Sequence, residues 1–178
     1  MIFVFFFVPS PVDFAVDFQE RVYILSQEGI IYRNGKPFLS LSSPLSIDSD
    51  GFSLWVLEGN GTITRYDGSG RILGRLERYG RKIRAGEGFL LVINKGIDVY
   101  ETQEGNWRRI WDGDVRHLEI VGDTLHVLVD SLDFMLDIHG RLLGKKKGYL
   151  FPFPPGAVRI KMIREKLYIL KPDTLIIQ

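Results

Sequence analysis

Five charged side chains recur at comparable places along the chain and are the best candidates for chemistry. Each directly follows an apolar residue, in the pairs Val16-Asp17, Ile47-Asp48, Ile83-Arg84, Leu118-Glu119 and Ile160-Lys161. Such side chains could form a ring of ion pairs around an axis. They could also form a polar channel mouth that binds a small charged or hydroxylated ligand. We favour the ion-pair interpretation, and name Asp17, Asp48, Arg84, Glu119 and Lys161 as the ligand-binding candidates under the second.

Motifs for catalysis and cofactor binding are absent from the sequence. There is no cysteine, which excludes thiol nucleophiles, disulfides and Cys-ligated metals. His117, His126 and His139 lack His-x-x-x-His spacing, and no serine lies in a Gly-x-Ser-x-Gly turn. No glycine-rich phosphate loop leads into a helix. We therefore predict no catalytic residue, no metal ligand and no cofactor.

A repeated strand positions the candidate residues. One four-residue apolar pattern occurs five times, with starts separated by 32, 36, 35 and 42 residues. The copies are Val22–Leu25, Leu54–Leu57, Leu90–Ile93, Leu125–Leu128 and Leu167–Leu170. A period of this length indicates a repeat architecture, and no stretch shows a helical apolar period. A short strand precedes each copy and a third strand follows it. In the first four repeats a glycine-bearing turn then leads to a fourth strand.

Four antiparallel strands per repeat predict an all-β fold, a five-bladed β-propeller forming one domain over residues 1–178. The fifth repeat ends after its third strand, while the apolar segment Ile2–Val8 belongs to no repeat. We expect this N-terminal strand to complete the last blade and close the ring. The longest spacing, between the fourth and fifth copies, predicts an insertion that contains the proline-rich stretch 149–156.

The apolar N-terminal segment also allows a second interpretation, a remnant of a secretory signal. Such a signal has a basic n-region and a small-residue cleavage site, whereas here Met1 leads directly into the apolar run and Pro9 follows it. We therefore favour a strand and a cytoplasmic location, with export left open if the segment derives from a signal.

A second column lies at the second position of each core strand. Its members are Tyr23, Trp55, Leu91, His126 and Tyr168. Large flat side chains at this position are expected to pack between adjacent blades. His126 is interpreted as a structural histidine with its hydrogen bonds satisfied, and not as a catalyst.

The second repeat resembles those of NHL-type and gluconolactonase-like propellers. The resemblance rests on Ile47–Gly51, Leu54–Leu57 and Ile63–Gly70, which combine aspartate–glycine turns with two strands. It implies a propeller fold, six-bladed in most relatives, with a divalent metal held at the channel mouth by carboxylate and asparagine ligands. The column of this chain contains two cations and no asparagine, which disfavours a metal.

Charge and composition restrict the partners. The 23 basic and 22 acidic residues nearly cancel, so no overall field favours nucleic acid or an anionic membrane. No apolar run is long enough to span a membrane. The basic clusters at 71–84 and 145–147 are interpreted as solvated surface. Tyr149, Phe151 and Phe153 could form an exposed contact patch for a protein partner or a lid on one face.

These observations favour a non-catalytic binding or protein-interaction propeller, with a protein or a small polar ligand at one face of the ring. One alternative is a metal-assisted hydrolase or lactonase that uses Asp17, Asp48 and Glu119. Another is a carbohydrate-binding propeller in which tryptophans stack on sugar rings; the candidates are Trp55, Trp107 and Trp111.

Overall fold

The structure, a computed structural model, describes residues 2–4, 8–148, 157, 159–163, 166–172 and 174–178. All regular elements of these residues are β-strands, and they form five four-stranded antiparallel sheets. No helix among them is long and apolar enough to span a bilayer. The predicted five-bladed β-propeller is confirmed.

The first four blades follow one another along the chain, each running from its innermost to its outermost strand. Blade 1 contains β2 (Pro11–Val16), β3 (Val22–Ser26), β4 (Ile30–Arg33) and β5 (Lys36–Ser40). Blade 2 contains β6 (Pro44–Ser49), β7 (Leu54–Glu58), β8 (Thr62–Tyr66) and β9 (Ile72–Glu77). Blade 3 contains β10 (Lys82–Gly86), β11 (Phe89–Ile93), β12 (Gly96–Glu101) and β13 (Asn106–Asp112). Blade 4 contains β14 (His117–Val121), β15 (Thr124–Val129), β16 (Leu132–Leu136) and β17 (Leu142–Lys147).

The fifth blade is assembled from both ends of the chain. Its first three strands are β18 (Arg159–Ile163), β19 (Lys166–Leu170) and β20 (Leu175–Ile177). The fourth is β1 (Ile2–Val4), which pairs antiparallel with β20 so that Phe3 lies opposite Ile176. The predicted closure by the N-terminal strand is therefore confirmed over Ile2–Val4, while residues 5–7 of the predicted strand lie outside the described residues.

The core lies between the blades. Tyr23 packs with Ile47 and Leu54 of blade 2, while Trp55 packs with Ile83 and Leu90 of blade 3. The same relation holds for Leu91 against blade 4 and for Tyr168 against blade 1. Burying a large apolar side chain stabilises a fold by roughly 1.5–3 kcal/mol. The predicted packing role of this column is confirmed for these four members.

Candidate functional site

The innermost strands carry two layers of side chains around the axis. Strand pairing identifies the layers, because the residues opposite Tyr23, Trp55, Leu91, His126 and Tyr168 occupy equivalent positions. These residues are Ala15, Asp48, Arg84, Glu119 and Lys161, and we call them the central ring. Two residues earlier on each strand, on the same face of the sheet, lies the amino-side ring of Asp13, Ser46, Lys82, His117 and Arg159.

The structure places four of the five predicted residues in the central ring but not Asp17. Blade 1 contributes Ala15 instead, and Asp17 lies two residues later, beyond the end of β2. Its Oδ1 accepts hydrogen bonds from the backbone N–H groups of Gln19 and Arg21 at 2.9 and 3.0 Å. Its Oδ2 pairs with Arg21 Nε at 2.5 Å. Asp17 therefore caps the turn between β2 and β3, which corrects its assignment to the column.

Asp48 is the centre of the axial ion pairs. It is buried, and its carboxylate contacts the Lys161 ammonium on one side and Arg159 Nη2, at 3.2 Å, on another. It also accepts hydrogen bonds from the backbone N–H groups of Ser49 and Ala85 at 2.8 and 3.0 Å. Burial opposes ionisation, but the positive charges of Lys161 and Arg159 outweigh it and hold the pKa of Asp48 below its usual value. The favoured ion-pair interpretation is confirmed for this part of the ring.

Two residues on the axis, Asp13 and Arg159, were not identified by the sequence analysis. Arg159 Nη1 lies 2.5 Å from Asp13 Oδ1 and donates to the Ile47 carbonyl at 2.9 Å. Asp13 Oδ2 accepts from Ser46 Oγ at 2.6 Å, which ties blade 1 to blade 2. The two-residue alternation of a strand would have placed both on the same side as the central ring.

Arg84 and Glu119 form the weaker half of the ring. Their Nε and Oε2 atoms are 3.7 Å apart, while Arg84 donates to the backbone carbonyls of Leu118 and Ile83 at 3.0 and 2.8 Å. Glu119 Oε2 is buried and accepts no hydrogen bond from the described residues. Burial raises the pKa of the Glu119 carboxyl, although Arg84 opposes the shift.

A cavity of about 320 Å³ opens on the face where the innermost strands end, and we call it the carboxyl-face cavity. All five blades contribute to it, and Lys161 of the central ring lies in its lining. Its apolar wall is formed by Val16, Phe18, Ala85, Phe89 and Ile120. Glu87 and Asp123, both exposed, lie at its rim.

The residues named for the metal-assisted hydrolase and for the carbohydrate-binding propeller are engaged in other contacts. Among the described residues, no three His, Asp or Glu side chains are grouped as a metal site requires. The indole of Trp55 is buried beneath Arg65, and Trp107 lies beneath Arg78 and against Tyr100. Trp111 packs on Phe134. These three indoles are therefore engaged in packing contacts.

His126 and the loop at 149–156 are the remaining sequence candidates. The buried His126 Nδ1 lies 3.0 Å from Asp133 Oδ2, which agrees with its interpretation as a structural residue. The partner patch of Tyr149, Phe151 and Phe153 lies outside the described residues, so it stays a prediction.

Comparison with solved structures gives the same architecture. The glutaminyl cyclase of Myxococcus xanthus is similar over 96% of this chain and 90% of its own, with a TM-score of 0.66 and 14% identity. The computationally designed Ika8 protein is similar over 88% of this chain and 54% of its own, with a TM-score of 0.54 and 13% identity. No family model and no curated protein matches the sequence. At these identities the likeness concerns the fold alone, and the NHL or gluconolactonase type is not confirmed.

Proposed function

We propose that the protein is a binding propeller that takes a small ligand into the carboxyl-face cavity. The observation that carries this proposal is a cavity of about 320 Å³ formed jointly by all five blades above a buried charged ring. Its volume falls at the lower end of the roughly 300–1,000 Å³ of small-molecule sites. Axial ion pairs join blade 5 to blades 1 and 2, and apolar side chains pack between blades 1 and 2, 2 and 3, and 3 and 4, so the site exists before the ligand arrives.

The lining indicates a ligand with an apolar body and a cationic group. The wall is mainly aromatic and aliphatic, and the rings of Phe18 and Phe89 pack directly on Gly51 and Gly86. The rim acids Glu87 and Asp123 form no ion pair with any described residue, so they are available to a ligand amine. Lys161 is already paired with Asp48 and donates to the Ser49 carbonyl at 3.4 Å, so it offers little attraction to an anion.

A matched pair of probes tests this proposal. Phenylethylamine and phenylpropionate share an apolar body and differ in the sign of the terminal charge. Titration followed by backbone amide NMR should show phenylethylamine shifting resonances of residues 85–89 and 120–123, with phenylpropionate binding more weakly. Glu87→Gln combined with Asp123→Asn should reduce the amine's affinity.

The control is Glu28→Gln combined with Glu104→Gln, which removes the same charge from two exposed positions away from the cavity. Equal affinity for both probes, or equal losses in both double variants, would contradict a cationic ligand.

A glutaminyl-cyclase-type activity is a second candidate. It is favoured by the similarity to the Myxococcus enzyme over nearly the whole of both chains. An acidic rim also suits the free amine of an N-terminal glutaminyl peptide. Incubation with such a peptide, followed by mass spectrometry for loss of ammonia, distinguishes the enzyme from the binding module. Turnover that Glu87→Gln with Asp123→Asn abolishes would favour the enzyme, whereas binding without turnover favours the binding module.

A further inference from the structure

A second cavity lies at the opposite end of the axis, where the innermost strands begin. It has a volume of about 220 Å³, lies between blades 3 and 4, and we call it the amino-face cavity. Its lining consists of Arg81, Lys82, Arg84, Ile93, Val115, Arg116, His117 and Leu118. Four of these eight residues are Lys or Arg and none is acidic, so the polar lining has one sign of charge.

The cations of this cavity are only partly compensated. Lys82 and Arg116 form no ion pair with any described residue. Arg81 lies 3.9 Å from Asp114, whose side chain is 90% exposed, so this pair is weakened by solvent. Arg84 forms the floor, buried and held by two backbone carbonyls, with the Glu119 carboxyl 3.7 Å from its Nε.

The titration of the neighbouring groups agrees with an excess of positive charge. Burial and then the charges of Arg84 and Arg159 lower the pKa of His117 to about 2, so its ring is neutral near pH 7. Lys82 is exposed along its side chain, but partial desolvation of its ammonium group lowers its pKa, and Arg84 lowers it further. An anion in the cavity would oppose both shifts, because it favours the protonated forms.

We propose that the amino-face cavity binds a compact multivalent oxyanion, an inorganic phosphate or the phosphate group of a small phosphomonoester. Guanidinium groups match the geometry of phosphate oxygens, and here Arg81, Arg84 and Arg116 line one cavity with Lys82. The small volume and the near-neutral chain favour a compact group over a polynucleotide. The site is separate from the carboxyl-face cavity, so its failure would leave the proposed function unaffected.

Titration with inorganic phosphate at constant ionic strength, followed by calorimetry and amide NMR, tests the site. We expect saturable binding with shifts centred on residues 81–84 and 115–118, and no such response to chloride. Lys82→Gln combined with Arg116→Gln should weaken phosphate binding by at least about tenfold, since hydrogen bonds to charged groups are lost. Both residues are exposed, so the fold should tolerate the change.

The matched control is Lys36→Gln combined with Arg75→Gln, which removes one lysine and one arginine from exposed positions on outer strands. This variant should bind phosphate like the parent. Glucose 6-phosphate and a single-stranded oligonucleotide, titrated in parallel, distinguish the sources of the phosphate. Equal weakening in both double variants, tightest binding to the oligonucleotide, or no saturable phosphate binding would each overturn the proposal.

Discussion

At the scale of single residues, the axis contains charges that stabilise the fold only in combination. Asp48 has two cationic partners and two backbone donors, whereas Glu119 has one distant cation and an oxygen without a described hydrogen bond. A buried ion pair contributes little beyond a well-packed apolar pair, but removing one partner leaves a charge without compensation. The two carboxyl groups consequently differ in pKa despite lying in the same ring.

Asp48→Asn should lower the free energy of unfolding by about 3–5 kcal/mol, because it leaves the buried cations Lys161 and Arg159 without their shared anion. Urea denaturation measures the loss. Adding Lys161→Met should restore much of it, since one unpaired cation is removed. If Asp48→Asn alone were as stable as the exposed control Glu104→Gln, the stabilising role of the Asp48 ion pairs would be contradicted.

His117 should make stability depend on pH. Its pKa falls from 6.5 to about 2 on folding, so below pH 6.5 the unfolded chain binds a proton that the folded chain does not. Keeping His117 neutral therefore costs no stability above pH 6.5, and the free energy of unfolding decreases as the pH falls below 6.5. Lowering the pH from 6 to 5 should cost the parent about 1 kcal/mol more than the His117→Asn variant. Urea titrations in phosphate-free buffer measure the difference, with the exposed His139→Asn as the control. If the free energy of unfolding depended on pH identically in the parent and in His117→Asn, the prediction would be wrong.

At the scale of elements, one turn design recurs in three blades. Asp17, Asp67 and Asp137 each accept the backbone N–H groups two and four residues later, and each pairs with the arginine four residues later. The copies differ in place, since Asp17 follows an innermost strand and the others precede an outermost one. Local hydrogen bonds of this kind fix a turn without help from the rest of the fold.

Asp17→Ala should destabilise the protein by about 2 kcal/mol, because two backbone N–H groups and Arg21 lose a buried acceptor. The same change at the exposed turn of Asp67 should cost less. Asp17→Asn retains an acceptor oxygen and should leave phenylethylamine and phosphate binding unchanged, because Asp17 lines neither cavity. Urea midpoints and the two titrations measure these effects. If Asp17→Asn folds normally but loses phenylethylamine or phosphate binding, Asp17 belongs to that binding site.

At the scale of the whole molecule, the ring is held closed by pairing between the two ends of the chain. Among the described residues, three pairs join β1 to β20, with Phe3 opposite Ile176. Because the blades pack in a circle, opening this contact would also expose the interface between blades 5 and 1, where Tyr168 packs on Val16. The two cavities at opposite ends of the axis differ in charge, with two exposed acids at the rim of the carboxyl-face cavity and four cations lining the amino-face cavity.

A disulfide across the closure should stabilise the ring. The chain contains no cysteine, so Phe3→Cys with Ile176→Cys creates a single pair at opposed positions. Oxidation should raise the free energy of unfolding by about 4 kcal/mol, because the crosslink closes nearly the whole chain into a loop. Urea denaturation with and without reductant measures the gain. Phe3→Cys with Ile72→Cys, placed in different blades, should form no intramolecular bond; failure of the first pair to oxidise would contradict the closure.

The repeats, the strand count and the closing strand could be predicted from the sequence because they depend on local information. Apolar spacing selects strands, glycine-bearing turns separate them, and an incomplete last repeat leaves one edge for the orphan strand to pair with. The inter-blade column was predictable for the same reason, since a side chain's face follows from alternation along its strand.

Which charges meet on the axis was decided only by the tertiary structure. The Val16-Asp17 pair resembles Ile47-Asp48 in sequence, yet strand register places Ala15 beside Asp48 and leaves Asp17 in a turn. Arg159 reaches Asp13, far away along the chain, and the two cavities arise where strand ends from different blades converge. Sequence determines the face and spacing of each strand, but a contact between blades depends on how the whole ring closes, and no local pattern contains that geometry.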